Sequence, residues 1–316
     1  MNQTADQNIT NQILSNYHHV NPGVMAKLRL ILNHGKLGGT GKMVIYPVDQ
    51  GFEHGPARSF AVNPDSYDPL YHWQLAVDSG VNAFAAPLGV IAAGARTFAG
   101  QIPTILKINS GNSLHPKSQA PTQAITSTVD QALELGCSAI GFTIYPGSAS
   151  NYQLIEHFTE LSNHAKSCGL AVVLWAYARG EDLAKDDETA LDIIAYNAHM
   201  AALLGADIIK VKLPTNELSN GAAAKVYQQH QLTNNNLDAR VSHIKQCCFN
   251  GKRLVVFSGG GAKDTTSLLN EIKAINTGGG DGSIIGRNVF QRPRDEALAL
   301  LDEIINIYRK VFKSFH

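Results

Sequence analysis

The run Gly205-Ala-Asp-Ile-Ile-Lys-Val-Lys-Leu-Pro214 has the length and β-branched content of a buried parallel strand, yet it carries two lysines. Gly205 ends the helix before it and Pro214 ends the strand itself. Side chains alternate along a strand, so Lys210 and Lys212 point to one side. If that side is the interior of a closed sheet, at least one ammonium loses its water, its pKa falls, and free amine accumulates near neutral pH. A free amine in a pocket attacks carbonyls. Otherwise the lysines reach solvent at the strand end or pair with a carboxylate.

The same order of strand, loop and helix recurs on both sides of this run. Strands are predicted over 43–49, 81–86, 104–109, 138–145, 170–177, 207–213, 253–258 and 283–285. Helices are predicted over 71–80, around Ala92, and over 127–135, 151–167, 188–204, 237–248, 265–275 and 295–312. Several helices close on glycine just before the next strand, at Gly80, Gly136, Gly169 and Gly205, as repeating βα units do. Eight such units favour closure into a (β/α)8 TIM barrel, and no GxGxxG follows the first strand to support an open nucleotide-binding sheet. The expected organisation is an N-terminal helical extension over residues 1–40, with a helix at 24–32, followed by a catalytic barrel over 41–316. Residues 214–236, rich in Asn and Gln, read as a surface excursion, and Gly278-Gly-Gly280 as a turn on the rim opposite the site.

Composition narrows the partners. The 26 basic residues balance 26 acidic ones, so nothing electrostatic favours nucleic acid or an anionic membrane. No basic and apolar leader opens the chain, no stretch is apolar for the width of a bilayer, and the four cysteines lack CxxC spacing. A cytoplasmic protein with reduced thiols is expected.

In such a barrel the site lies at the C-terminal ends of the strands. The first strand ends at Asp49, the third carries Lys107, and the fifth runs into Trp175, Tyr177 and Arg179, which share a side. The seventh ends in Ser258-Gly259-Gly260-Gly261 and the eighth in Gly286-Arg287. Loops after these last two strands often bind phosphate through backbone N–H groups and a helix N-terminus, with Arg287 adding a charge-assisted contact. Glu53, His54 and His115 are the best metal candidates, but no HExxH or equivalent pair supports them, and no metal is expected.

Pro47-Val-Asp-Gln-Gly-Phe-Glu-His-Gly-Pro56, Trp175-Ala-Tyr-Ala-Arg-Gly180, Gly205 through Lys212, Ser258-Gly-Gly-Gly261 and Gly286-Arg-Asn288 together resemble the archaeal-type class I fructose-bisphosphate aldolases of the DhnA group. The resemblance spans the chain from the first strand to the last. It implies Schiff-base chemistry without a cofactor other than the covalent imine itself, on Lys210, with Lys212 as the neighbouring alternative. It implies Tyr177 as acid and base, Trp175 as the nearby aromatic, Asp49 as the carboxylate, and Ser258, Gly259, Gly260, Gly286 and Arg287 as phosphate contacts. The resemblance further implies Lys107 and Arg179 as substrate contacts. The loop Ser110-Gly-Asn-Ser-Leu-His115 departs from the Gly-Lys-Thr type of sequence seen in relatives. The implied substrate is a sugar phosphate, and the implied assembly a homo-oligomer such as a decamer. The implied reaction is reversible cleavage of fructose 1,6-bisphosphate to dihydroxyacetone phosphate and glyceraldehyde 3-phosphate, in glycolysis and gluconeogenesis. Three alternatives stay open: a Schiff-base aldolase or transferase for another phosphorylated or deoxy sugar, a sugar-phosphate-binding barrel without turnover, and a metal-dependent aldolase.

Overall fold

The computed structural model describes residues 5–116, 118–232, 235–261 and 263–312. Residues 1–4 of the polar start and 233–234 of the surface excursion lie outside the described residues. Eight parallel strands close into a barrel: β1 (Met43–Pro47), β2 (Ala83–Pro87), β3 (Thr104–Lys107), β4 (Ala139–Ile144), β5 (Ala171–Ala176), β6 (Ile208–Val211), β7 (Leu254–Ser258) and β8 (Gly282–Ile284). Each pairs with its neighbour in sequence, and β8 returns to β1 with Ile284 opposite Ile45. Nearly every strand residue is buried, as a sheet covered on both faces requires.

Alternation separates two layers. Ile45, Ile105, Val173, Trp175, Ile208 and Val256 pack inside the barrel, whereas Val44, Leu106, Leu174, Ile209 and Val255 pack outward under the helices. Lys107 and Lys210 follow the parity of Ile105 and Ile208, which puts both ammonium groups in the interior. The four helix-closing glycines adopt left-handed backbone, with φ between 69° and 81°.

The floor of the barrel is closed by the N-terminal segment, which contains α1 (Ala5–Leu14) and α2 (Pro22–Asn33). Pro22 and the Asn21 side chain, which accepts from the Val24 N–H at 2.9 Å, start α2. Its Val24, Leu28, Ile31 and Leu32 join the interior cluster that includes Met43, Ala171 and Leu254. Between the two helices, the Tyr17 hydroxyl donates to the Asp207 carbonyl at 2.8 Å and accepts from the Leu254 N–H at 2.9 Å, tying the entries of β6 and β7 together. Asn82 pins the other end of α2, donating to the carbonyls of Ile31 and His34 while accepting from Val44.

Around the barrel lie α3 (Gln50–His54), α4 (Pro56–Phe60), α5 (Pro69–Ser79), α6 (Leu88–Ala95), α7 (Val129–Glu134), α8 (Asn151–Ser167), α9 (Leu191–Leu203), α10 (Gly221–Gln229), α11 (Leu237–Cys247), α12 (Thr265–Thr277), α13 (Arg287–Phe290) and α14 (Arg294–Phe312). Four differences from the sequence reading bear on the site. Two short helices, α3 and α4, follow β1 where a polar loop was expected. The third strand stops at Lys107 because Asn109–Ser110 turns out to pair antiparallel with Ala124–Ile125. The sixth ends at Val211, so Lys212 stands beyond the ladder. The 214–236 excursion contains α10, whose first turn the Asn220 side chain caps. The four cysteines are free thiols, Cys247 and Cys248 included. Among the described residues no helix is long and apolar enough to cross a membrane.

Candidate active site

One buried functional group is the Lys210 amine. It is 5 % exposed and sits 5.1 Å from the Trp175 ring centre and 5.4 Å from that of Tyr177. No hydrogen bond holds it among the described residues. Burial pulls its pKa down to about 8, although the carboxylates of Asp49 and Glu53 pull the other way. An appreciable fraction is therefore free amine near neutral pH.

Lys107, on β3, also approaches Trp175, 5.6 Å from its ring. Burial lowers it to about 8 as well. Unlike Lys210, it is held in place: it donates to the Asn109 carbonyl and, at 2.9 Å, to Asn109 Oδ1. Lys212 is held by a carboxylate, with its Nζ 2.5 Å from Glu188 Oε2. Of the three lysines, Lys210 alone combines burial with a nitrogen that no hydrogen bond or ion pair engages among the described residues.

Tyr177 lies at the end of β5, and its phenol is pushed up by burial and by the Asp49 charge, against the Ser258 side chain that bonds to it. At neutral pH it is a protonated acid. Asp49 and Glu53 are the carboxylates lining the cavity of about 520 Å³ into which Lys210 opens. Glu53 is engaged, its Oε1 3.0 Å from Arg179 Nη2. Burial alone would raise Glu53, but Arg179, His54 and Lys107 together hold it below the ordinary carboxylate range. Arg179 also donates to the Tyr145 hydroxyl at 3.1 Å and stacks 4.9 Å from that ring.

Opposite this pole of the cavity, the Ser258-Gly259-Gly260-Gly261 turn and Gly286-Arg287 form the wall. Arg287 Nη2 donates to the Gly260 carbonyl at 3.1 Å, and Asn288 Nδ2 to that of Gly261 at 3.0 Å, which shapes the turn. The N–H groups of Gly260 and Gly261 have no partner among the described residues. Of the two helices that start here, α12 has its first turn capped by the Asp264 side chain, which accepts from Ser267 N–H at 2.9 Å, whereas α13 starts at the cavity wall with no side-chain cap at Gly286. Buried polar atoms left unpaired here among the described residues include Gln50 Oε1, His54 Nδ1, Arg179 Nε and Arg287 Nε, groups that a polar ligand can satisfy.

Asp49, Tyr177, Arg179, Lys210, Ser258, Gly259, Gly260, Gly286 and Arg287 thus line one cavity. Trp175 and Lys107 line instead a small neighbouring space of about 30 Å³, shared with Asp49 and Tyr177. Sequence reasoning missed Gln50, Arg58, Lys185 and Lys263, which line the same cavity from two short helices and from loops, all without strand periodicity. No group of three His, Cys, Asp or Glu side chains among the described residues is clustered tightly enough to hold a metal ion.

A desolvated amine in the mouth of a parallel (β/α)8 barrel, flanked by an acid, a carboxylate and a glycine-rich turn, defines a lyase of the Schiff-base class. The comparisons agree. The DeoC/LacD family aldolase pattern matches residues 43–292, and the chain belongs to that family. It is 36 % identical over 300 residues to a probable fructose-bisphosphate aldolase class 1 of Chlamydia muridarum, covering 91 % of this chain and 85 % of that one. It is 34 % identical over 253 residues to the fructose-bisphosphate aldolase class 1 of Thermoproteus tenax, covering 80 % and 84 %. An archaeal fructose-1,6-bisphosphate aldolase, solved with its catalytic lysine bound to the carbinolamine intermediate of the substrate, superposes with a TM-score of 0.72 at 29 % identity, covering 95 % and 99 %.

Proposed function

We propose that this chain is a class I fructose-bisphosphate aldolase that reversibly cleaves fructose 1,6-bisphosphate to dihydroxyacetone phosphate and glyceraldehyde 3-phosphate. The observation that carries the reading is the free Lys210 amine, buried beside Tyr177 and facing the Ser258–Gly261 turn in one cavity. The amine adds to the C2 carbonyl, and the carbinolamine loses water to give a protonated imine. The C4 hydroxyl gives up its proton, the C3–C4 bond breaks, and the electron pair moves into the imine as an enamine. Protonation at C3 and hydrolysis release the ketone product and restore the amine.

Tyr177 and Asp49 handle the protons, the phenol as donor and the carboxylate as acceptor. Trp175 is the floor on which the lysine rests. Ser258, the Gly260 and Gly261 N–H groups and Arg287 hold one phosphate, so that C2 stays beside the amine. Arg179 serves the far end of the sugar, and Lys107 orders the Asp49 side of the cavity. Residues 1–40 act as the stopper of the catalytic barrel 41–316, which works in the cytoplasm as a homo-oligomer; light scattering on the purified protein that gave a monomer mass would reject the assembly.

The activity test is aldol cleavage of fructose 1,6-bisphosphate with and without EDTA. Turnover is expected to be unaffected by the chelator and to disappear in Lys210→Met. Loss of turnover with EDTA, restored by a divalent metal, would overturn the reading in favour of a metal-dependent aldolase.

A further inference from the structure

Two amines reach the same aromatic ring. Lys210 Nζ lies 5.4 Å and Lys212 Nζ 5.9 Å from the Tyr177 ring centre, and both line the substrate cavity. A carbonyl seated beside Tyr177 is accessible to either, and an imine on the wrong one would sit out of register with the phosphate wall. Something must silence the second amine.

From this geometry we infer that Glu188 is the residue that selects the nucleophile: its buried carboxylate keeps Lys212 an ammonium and leaves Lys210 as the reactive amine. The inference rests on the reading of Lys210 as the imine-forming lysine. Glu188 is 7 % exposed and lies in the 3₁₀ turn Asp187–Thr189, between β5 and α9. That turn is laced to the segment after β6: Thr215 N–H donates to the Thr189 carbonyl at 2.7 Å, and Leu191 N–H to that of Glu217 at 2.8 Å. The carboxylate is thereby preset against Lys212, at 2.5 Å, and it accepts from Lys185 through both oxygens at 3.1 and 3.0 Å.

The charges around the two lysines have opposite consequences. Lys212 is faced by Glu188 and Lys185 from the β5–α9 connection, by Arg179 and the Tyr177 phenol at the end of β5, and by Lys210 on its own segment. Burial lowers Lys212, Glu188 opposes the fall, and Lys185 and Arg179 deepen it. Take away the carboxylate and only lowering influences remain. Lys210 is faced by Asp49 and Glu53 after β1, Arg287 after β8, Tyr177 and Lys107, and no carboxylate touches its nitrogen among the described residues.

The test is reductive trapping with dihydroxyacetone phosphate. The amine adds to the ketone carbon, water leaves, and borohydride delivers hydride to the imine carbon, giving a stable secondary amine that peptide mass spectrometry locates. With Glu188 in place, Lys210→Met is expected to give no more than a trace of adduct on Lys212. The double variant Lys210→Met/Glu188→Gln is expected to label Lys212 at least about tenfold more, the change in free amine that one pH unit of pKa brings. Glu188→Asp, which retains the charge, should abolish that labelling again. Labelling of Lys212 in Lys210→Met at the level of the double variant overturns the inference, as does a folded double variant that leaves Lys212 unlabelled. If the double variant does not fold, the Lys210→Met result decides alone. An adduct on Lys212 of the unaltered protein contradicts both this inference and the reading of Lys210, whereas an adduct on Lys210 there, with Lys212 labelled in Lys210→Met, contradicts the inference alone.

Discussion

At Lys210 two opposing forces set the chemistry. The barrel interior favours the neutral amine, and Asp49 and Glu53 favour the ammonium; burial wins, and the group titrates at about 8. Its folded pKa lies below the ordinary lysine value, so the nucleophilic form grows as pH rises. The rate of borohydride trapping is accordingly expected to climb about tenfold per pH unit below 8 and to level off above it. A trapping rate that stayed flat between pH 6 and pH 8, or fell, would contradict the assignment. Lys107 is also lowered to about 8, but its bonds to Asn109 hold the nitrogen away from the cavity. The pair shows why burial of a lysine does not by itself make a nucleophile. From the sequence, Lys107 and Lys210 look alike; hydrogen-bond partners outside their own strands decide between them.

The elements that present these side chains are held by close packing under the site. Trp175 on β5 supports Lys210 and lies against Gly141 on β4, where an added Cβ would come within 2.3 Å of the indole Cζ3. An indole cannot yield as a flexible chain does. Gly141→Ala is expected to cost about 1–3 kcal/mol of stability and to slow trapping, because the floor beneath the amine shifts. Denaturant midpoints and trapping rates measure both, and an unchanged midpoint would show that the contact is not needed. The strands and their order were legible because runs such as 170–177 are apolar on both faces and follow a helix-closing glycine. Shorter pieces were not. The α3 and α4 helices have five residues each and no periodicity to detect, and Glu53 and Glu188 find their cations through loops whose paths sequence spacing does not encode.

Over the molecule as a whole, the barrel has a closed floor and an open mouth. The apolar stripe of α2 announces in the sequence that one face is buried, but nothing in it says that the face is spent on the barrel floor. In the structure Leu28, Ile31 and Leu32 pack into the same interior cluster as Trp175, so hydrophobic packing runs unbroken from the N-terminal segment to the base of the site. Polar groups gather at the other end, where five sequence motifs far apart in the chain meet in one cavity. The convergence follows from the rule that parallel barrels carry function at the C-terminal strand ends, and it made most of the candidate site readable before the structure. On the wall built by the glycine turn and Arg287, the helix after β7 is capped by Asp264, while α13 starts uncapped at Gly286. The most direct measurement is therefore peptide mapping of the unaltered protein after incubation with dihydroxyacetone phosphate and reduction with borohydride. A single adduct on Lys210 is predicted; an adduct on another lysine would contradict the assignment of Lys210, and none, in a protein that still turns over its substrate, would contradict the Schiff-base mechanism.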